Sequence, residues 1–226
     1  MYISQTNQLT MTKELEFFEL YTLSKEKPKK LMVFLHGYGA SGEDLIDLAK
    51  EFKHILPDAH FVSPNAPFNL EHPFSCGFQW FSLGSYEPHI IYPQILEANR
   101  ILDIFITEQL KRFNLSYQDL ILVGFSQGAM MAMYNSLRNK NQNAGIIAYS
   151  GKLILPTMLG EPIGSKPKIC LIHGREDDVL PFGNFLEAQK LLQEIQIPLE
   201  SHALEGLGHG IDHHGIRIGK EFLKGV

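Results

Sequence analysis

Leu120-Ile121-Leu122-Val123-Gly124-Phe125-Ser126-Gln127-Gly128-Ala129-Met130-Met131-Ala132-Met133 is the stretch on which the reading of the chain turns. Its first four residues are the continuous apolar run of a buried strand, and the residues after Gly128 have the composition of a helix. Between them, Gly124-Phe125-Ser126-Gln127-Gly128 predicts a turn tight enough to need glycine on both sides of the serine. Such a turn lifts the Ser126 hydroxyl to the end of a sheet, and the unpaired N–H groups that open the next helix suit a developing negative charge. Ser126 is therefore the candidate nucleophile. The same five residues also suit a strand-to-helix turn that merely packs closely, so the rest of the chain must supply partners.

Working outward, apolar runs and helical periods alternate. Residues 15 to 23 read as an aromatic-rich edge strand, with Lys25 to Lys30 as the turn after it. Leu31 to Leu35 reads as a strand buried on both faces. The run Leu45, Ile46, Leu48, Ala49 and Phe52 reads as one helix that stops near Pro57, and His60 to Ser63 as a short strand. Helical spacing returns from Ile90 to Phe113. Beyond the serine turn the expected order is a helix to Leu137, strands Ile146 to Tyr149 and Ile169 to Ile172, a helix Phe182 to Ile195, a strand Leu199 to Ala203 and a helix Ile211 to Phe222. This order predicts a single α/β domain over residues 1–226, with a mostly parallel central sheet and helices on both faces. Residues 64 to 93 break the rhythm with prolines, glycines and many aromatics, and a connection of that length is expected to cover a binding site.

Composition excludes several classes. Hydrophobic residues at 44% and charged residues at 20% are those of an ordinary globular protein. A net charge of −5, with no basic cluster larger than the Lys25 to Lys30 turn, argues against a nucleic-acid partner. Two cysteines, Cys76 and Cys170, are too few for a disulfide framework and read as free thiols in a reducing compartment. With no signal-peptide pattern and no run long enough to span a bilayer, the expectation is a cytoplasmic protein without stable membrane insertion. The oligomeric state has no signal in the sequence.

In open parallel sheets, sites form beyond the carboxyl ends of the strands. The loops to inspect then follow Leu35, Val123, Ile172 and Ala203. After Ile172 comes His173-Gly174-Arg175-Glu176-Asp177-Asp178, and after the last strand comes Gly206-Leu207-Gly208-His209-Gly210. With Ser126 these segments supply a serine, an acid and a histidine in that chain order. A serine hydroxyl is a poor nucleophile until a base takes its proton, which makes His209 the candidate base and an acid in the first loop its orienting partner. His213 and His214 read as solvent-exposed positions of the last helix. A metal site from His209, Asp212 and His213 is conceivable on spacing but lacks further ligands, so none is expected.

Leu35-His36-Gly37-Tyr38-Gly39, Pro64-Asn65-Ala66-Pro67, Trp80-Phe81, the serine turn, Ser150-Gly151, His173-Gly174 with Asp177 and Pro181, and Gly208-His209 span nearly the whole chain. In these segments and their order the chain resembles the phospholipase/carboxylesterase family of α/β-hydrolases, which includes acyl-protein thioesterases and small bacterial carboxylesterases. The resemblance implies an α/β-hydrolase fold and a triad of Ser126, Asp177 and His209, with Asp177 favoured over its neighbour Asp178. It also implies an oxyanion hole from the backbone of Tyr38 beside that of Gln127, and a substrate loop in which Trp80 and Phe81 line the pocket. Residues 150 to 167 are too few for a separate cap domain, so an open site is expected. The implied activity is cofactor-free hydrolysis of carboxylic esters of short to medium acyl chains through an acyl-enzyme, with a small-molecule ester or acyl substrate as partner. Acyl-protein thioesterase or lysophospholipase activity is the alternative, and a non-catalytic hydrolase-fold binding protein is the alternative of another class. Met130, Met131 and Met133 are expected to pack in the core behind the serine.

Overall fold

The structure is a computed structural model and describes residues 14–22, 27–70, 77–84 and 87–226. Cys76, the first residues of the expected Lys25 to Lys30 turn and the last residue of the expected first strand lie outside the described residues.

Alternation decides how the sheet is covered. In β2 (Lys30–Leu35), Leu31, Val33 and Leu35 join one apolar core while Met32 and Phe34 join another on the opposite face. The same division runs through β6 (Leu120–Phe125), β7 (Gly145–Tyr149) and β8 (Ile169–Gly174), so these central strands are buried on both sides. With β1 (Phe17–Leu20), β3 (Ala59–Pro64) and β9 (Leu199–Leu204) they form a seven-stranded sheet in the order β1-β3-β2-β6-β7-β8-β9. Every pairing is parallel except that of β1 with β3. The edge strand β1 is clipped down by Glu19, which accepts hydrogen bonds from His60, Arg112 and Tyr21.

Helices α3 (Pro88–Phe113), α4 (Gln127–Arg138) and α5 (Gly183–Glu194) close the first core. Helices α1 (Gly42–Ile46), α2 (Ala49–Phe52) and α6 (His213–Leu223) close the second. Met130, Met131 and Met133 lie in the first core. Cys170 is buried in the second, and burial pushes its thiol up to about 12, which makes it an inert packing residue.

The local differences from the sequence reading have local causes. The helix expected over residues 45–52 is two short helices, because Leu48, Lys50 and Glu51 donate to the carbonyls three residues back and tighten the chain between them. Helix α6 begins at His213 and not at Ile211, because the Asp212 carboxylate accepts from Gly215 N–H at 2.7 Å and caps it there. Inside the irregular 64–93 segment, β4 (Phe68–Asn69) and β5 (Phe78–Gln79) pair antiparallel, too short a hairpin to show any period. Between β7 and β8 the chain holds only a 3-10 turn, Pro156–Leu159, and no separate cap domain.

The end of β2 and the start of α4 approach until there is no room for a side chain. A Cβ on Gly128 would lie 1.9 Å from the carbonyl oxygen of Leu35 and 2.6 Å from that of His36. Gly128→Ala is therefore expected to destabilise the protein by at least about 1–3 kcal/mol, the usual cost of overpacking. Urea denaturation checks this, and an unchanged midpoint would contradict the close approach.

Candidate active site

At the carboxyl end of β6 the chain turns sharply into α4. Ser126 sits in that turn with φ 54° and ψ −117°, a conformation that side-chain-bearing residues rarely adopt and that costs on the order of 1–3 kcal/mol. The turn is held from three sides. Ser126 N–H donates to the carbonyl of Tyr149 at 2.9 Å, its own carbonyl accepts from Met130 N–H at 3.1 Å, and Gly124 leaves the room that lets α4 fold back on the strand.

The structure brings Ser126, His209 and Asp177 together. His209 Nε2 lies 3.0 Å from Ser126 Oγ, and His209 Nδ1 lies 2.8 Å from Asp177 Oδ2. Asp177 is 5% exposed and its other oxygen accepts from the N–H groups of Val179 and Leu180. Burial alone would raise its carboxyl, but the hydrogen bonds from His209 and Leu180 outweigh it and hold Asp177 below the ordinary carboxylate range. An ionised carboxylate only accepts, so the shared proton belongs to His209 Nδ1, and Nε2 keeps a lone pair facing the serine hydroxyl. Asp178, the neighbouring carboxylate, is exposed.

The loops carrying these residues are built to touch. A Cβ on Gly174 would fall 2.1 Å from the Leu207 carbonyl oxygen, so the loop bearing Asp177 lies directly on the residues before His209. Phe125 packs its ring against the His209 imidazole with centroids 4.9 Å apart. A Cβ on Gly37 would meet Phe125 at 3.1 Å and Ser126 Cβ at 3.3 Å, which puts the loop after β2 beside the serine. That loop carries Tyr38, and among the described residues neither Tyr38 N–H nor Gln127 N–H has a hydrogen-bond acceptor. Two unpaired backbone donors beside a serine hydroxyl are what a tetrahedral oxyanion requires.

Two histidines near the site do other work. His36 is fully buried, donating from Nδ1 to the Gly37 carbonyl at 2.7 Å and accepting at Nε2 from Ala66 N–H at 2.9 Å. Both ring nitrogens are engaged in the neutral form, so His36 shapes the loop. His173, also fully buried, donates from Nε2 to the Leu180 carbonyl at 2.8 Å and lies 3.3 Å from Asp177 Oδ2. It braces the acid, a role that the sequence reading did not assign. The other histidines of the C-terminal segment, His213 and His214, are exposed on α6, and Asp212 is occupied in capping that helix.

Trp80 and Phe81 differ from expectation. Trp80 is 0% exposed and Phe81 is 3% exposed, both within the first core, so neither ring lines an open pocket. The Trp80 indole N–H donates to the His36 carbonyl at 3.0 Å, and the side-chain amide of Gln127 bonds to the backbone of both residues. Their part here is to hold the loop against the serine turn. The useful sequence signal was Gln127 itself, a long polar side chain inside a stretch that is otherwise almost wholly apolar.

A mostly parallel sheet with a serine on a strained strand-to-helix turn, and a histidine and an aspartate from later strand-end loops beside it, defines an α/β-hydrolase fold. Residues 21–226 match the family described as Phospholipase/Carboxylesterase. Esterase YpfH of Escherichia coli (strain K12) is 27% identical over 209 residues, which cover 89% of this chain and 85% of that protein. Acyl-protein thioesterase 1 of Candida albicans is 24% identical over 213 residues, covering 88% and 92%. The crystal structure of esterase PE8 superposes with a TM-score of 0.86 at 38% identity, covering 94% of this chain and 99% of that one. The chain belongs to the phospholipase/carboxylesterase family. No described helix is long and apolar enough to cross a membrane.

Burial lowers the proton affinity of His36 below its ordinary value of 6.5, and burial does the same to His60 despite the nearby Glu19 carboxylate. Below that pH the unfolded chain takes up protons that the folded chain refuses, so stability is full above about 6.5 and declines as the pH falls. The urea midpoint is expected to drop between pH 7.5 and 5.5. His36→Gln is expected to be less stable at pH 7.5 and to show a shallower pH slope. An equal slope in the variant would mean that His36 is not held neutral by the fold.

Proposed function

We propose that the protein hydrolyses carboxylic esters of short to medium acyl chains, with Ser126 as nucleophile, His209 as general base and acid, and Asp177 as the group that orients and charge-balances His209. Ser126 Oγ attacks the ester carbonyl carbon while its proton passes to His209 Nε2. The carbonyl oxygen becomes an oxyanion, held by the backbone N–H groups of Gln127 and Tyr38. Collapse breaks the bond to the alcohol oxygen, which leaves with the proton from His209. Water then attacks the acyl-enzyme in the same way, giving its proton to His209 and releasing the acid and free Ser126. Every proton lost by a nucleophile is returned to a leaving group, so the cycle needs only water.

The observation that carries this reading is the continuous chain of contacts from Asp177 Oδ2 to His209 Nδ1 at 2.8 Å and from His209 Nε2 to Ser126 Oγ at 3.0 Å. Family membership supports the ester as substrate class. Thioesters are the second reading, favoured by the likeness over most of both chains to an acyl-protein thioesterase. On either reading residues 1–226 work as one hydrolase domain on a small acyl substrate, and the low cysteine count suits the cytoplasm.

The test is an activity panel of aryl esters of increasing chain length beside a palmitoyl thioester, with fluorophosphonate labelling. Ser126→Ala is expected to lose labelling and activity together. Asp177→Asn is expected to lower kcat on the order of ten-thousand-fold, the cost of leaving the base in the wrong tautomer, while Asp178→Asn stays close to wild type. A collapse in Asp178→Asn with Asp177→Asn active would reverse the two assignments. A folded wild-type protein that resists the label would point instead to a binding protein.

A further inference from the structure

Gln127 contributes more than its backbone. Gln127 is 1% exposed, and burying an amide in an apolar region is costly unless both ends are hydrogen-bonded. Both ends are: Oε1 accepts from Trp80 N–H at 2.8 Å and Nε2 donates to the Phe81 carbonyl at 2.7 Å. The amide thus pairs with residues 80 and 81 as a neighbouring strand would. If only the Gln127 N–H mattered, an apolar side chain would serve there without this requirement.

The same short segment grips the other candidate donor. Phe78 N–H donates to the Ala40 carbonyl, and Gly39 N–H donates to the Phe78 carbonyl, each at 2.9 Å. Gly77 lies so close that a Cβ on it would be 2.1 Å from the Gly39 carbonyl oxygen. Trp80 Nε1 reaches the His36 carbonyl at 3.0 Å. Residues 77–81 therefore bond to the loop on both sides of Tyr38 and, at their far end, to the side chain of Gln127.

We propose that residues 77–81 form a tie that sets the spacing of the two oxyanion donors, with the side chains of Gln127 and Trp80 as positioning residues. The inference rests on the ester-hydrolysis reading above. Its physical basis is that backbone donors stabilise a tetrahedral oxyanion only where they already point, and a misplacement of about 1 Å costs on the order of a hundredfold in rate. The turn at Ser126 fixes the Gln127 N–H, but Tyr38 belongs to a different strand-end loop. Segment 77–81 bonds to both.

The test uses Gln127→Met, which keeps side-chain length and loses both hydrogen bonds, and Trp80→Phe, which keeps an aromatic ring and loses the indole N–H. Ser126 is titrated to completion with a fluorophosphonate, so that rates refer to competent sites. Two readouts follow on a short-chain aryl ester: kcat with KM, and the inhibition constant of an arylboronic acid, whose tetrahedral serine adduct puts an oxygen between the same donors. The expected result is a fall in kcat of about 10- to 100-fold, with KM changed less than about threefold and boronate affinity falling in step with kcat. A purely structural role would lower the melting temperature or the titratable fraction while leaving per-site kcat and boronate affinity at wild-type values, and that result overturns the proposal. So does a loss confined to KM, or a fall in kcat without weaker boronate binding. Should Gln127→Met fail to fold, Trp80→Phe decides alone on the same readouts. A wild-type protein without ester hydrolysis or labelling would instead overturn the reading of the reaction, and this inference with it.

Discussion

The structure depends on a close approach between backbone segments that only glycine permits. The start of α4 lies against the carbonyls of Leu35 and His36 across Gly128, and folds back on β6 across Gly124. This contact pins the turn between strand and helix, and Ser126 is held at φ 54° as a result. A strained residue persists only where its surroundings over-determine it. Here the ladder bond to Tyr149, the first helical bond from Met130 and the two glycine contacts do so. The cost is borne by a sheet whose central strands are buried on both faces.

From this turn the site is assembled by contact between loops, more than by long side chains reaching across a gap. Gly174 brings the loop of Asp177 onto the loop of His209, and Gly37 brings the loop of Tyr38 onto Phe125 and Ser126. Phe125 then lies against the imidazole of His209. Each approach is short-range, which suits groups that must be aligned before any substrate arrives. Behind them, polar side chains bond to main chain: His36 to Gly37 and Ala66, Gln127 to residues 80 and 81, and Trp80 to His36. A buried amide or imidazole so satisfied fixes a loop with the directionality that apolar packing lacks.

Much of this was legible in the sequence, and what was not has a physical cause. The central strands and long helices were readable because burial on both faces leaves continuous apolar runs and a face on each helix. Ser126 and His209 were readable because glycines flank both at the ends of strands. Asp177 and Asp178 are chemically alike, and the difference between buried and exposed arises from the fold, not from spacing. Trp80 and Phe81 looked like pocket lining because they sit in an irregular aromatic loop, yet irregular backbone can still bury its side chains when polar groups such as the Gln127 amide pair with it. The break between α1 and α2 and the β4–β5 hairpin are shorter than any period that could announce them.

The chain has ten histidines, and the environment, not the residue type, decides which one can act as a base. A base must be neutral at working pH, must offer a lone pair to the reacting hydroxyl and must tolerate becoming charged. His36 is neutral by burial, but its lone pair is already taken by Ala66 N–H. His173 touches Asp177, yet its bonded nitrogen faces the Leu180 carbonyl and the ring is sealed from solvent. His60 has a carboxylate partner but lies on β3, bonded to Glu19 of the edge strand, which Arg112 and Tyr21 help to hold ionised, at about 2, against the cost of burial. Among these, His209 stands apart in its geometry: its side chain is 15% exposed, Nδ1 is anchored on an ionised carboxylate, and Nε2 faces a hydroxyl. In the proposed reaction the direction of proton flow follows from that asymmetry, since the nitrogen of this ring within reach of Ser126 Oγ is the one opposite Asp177.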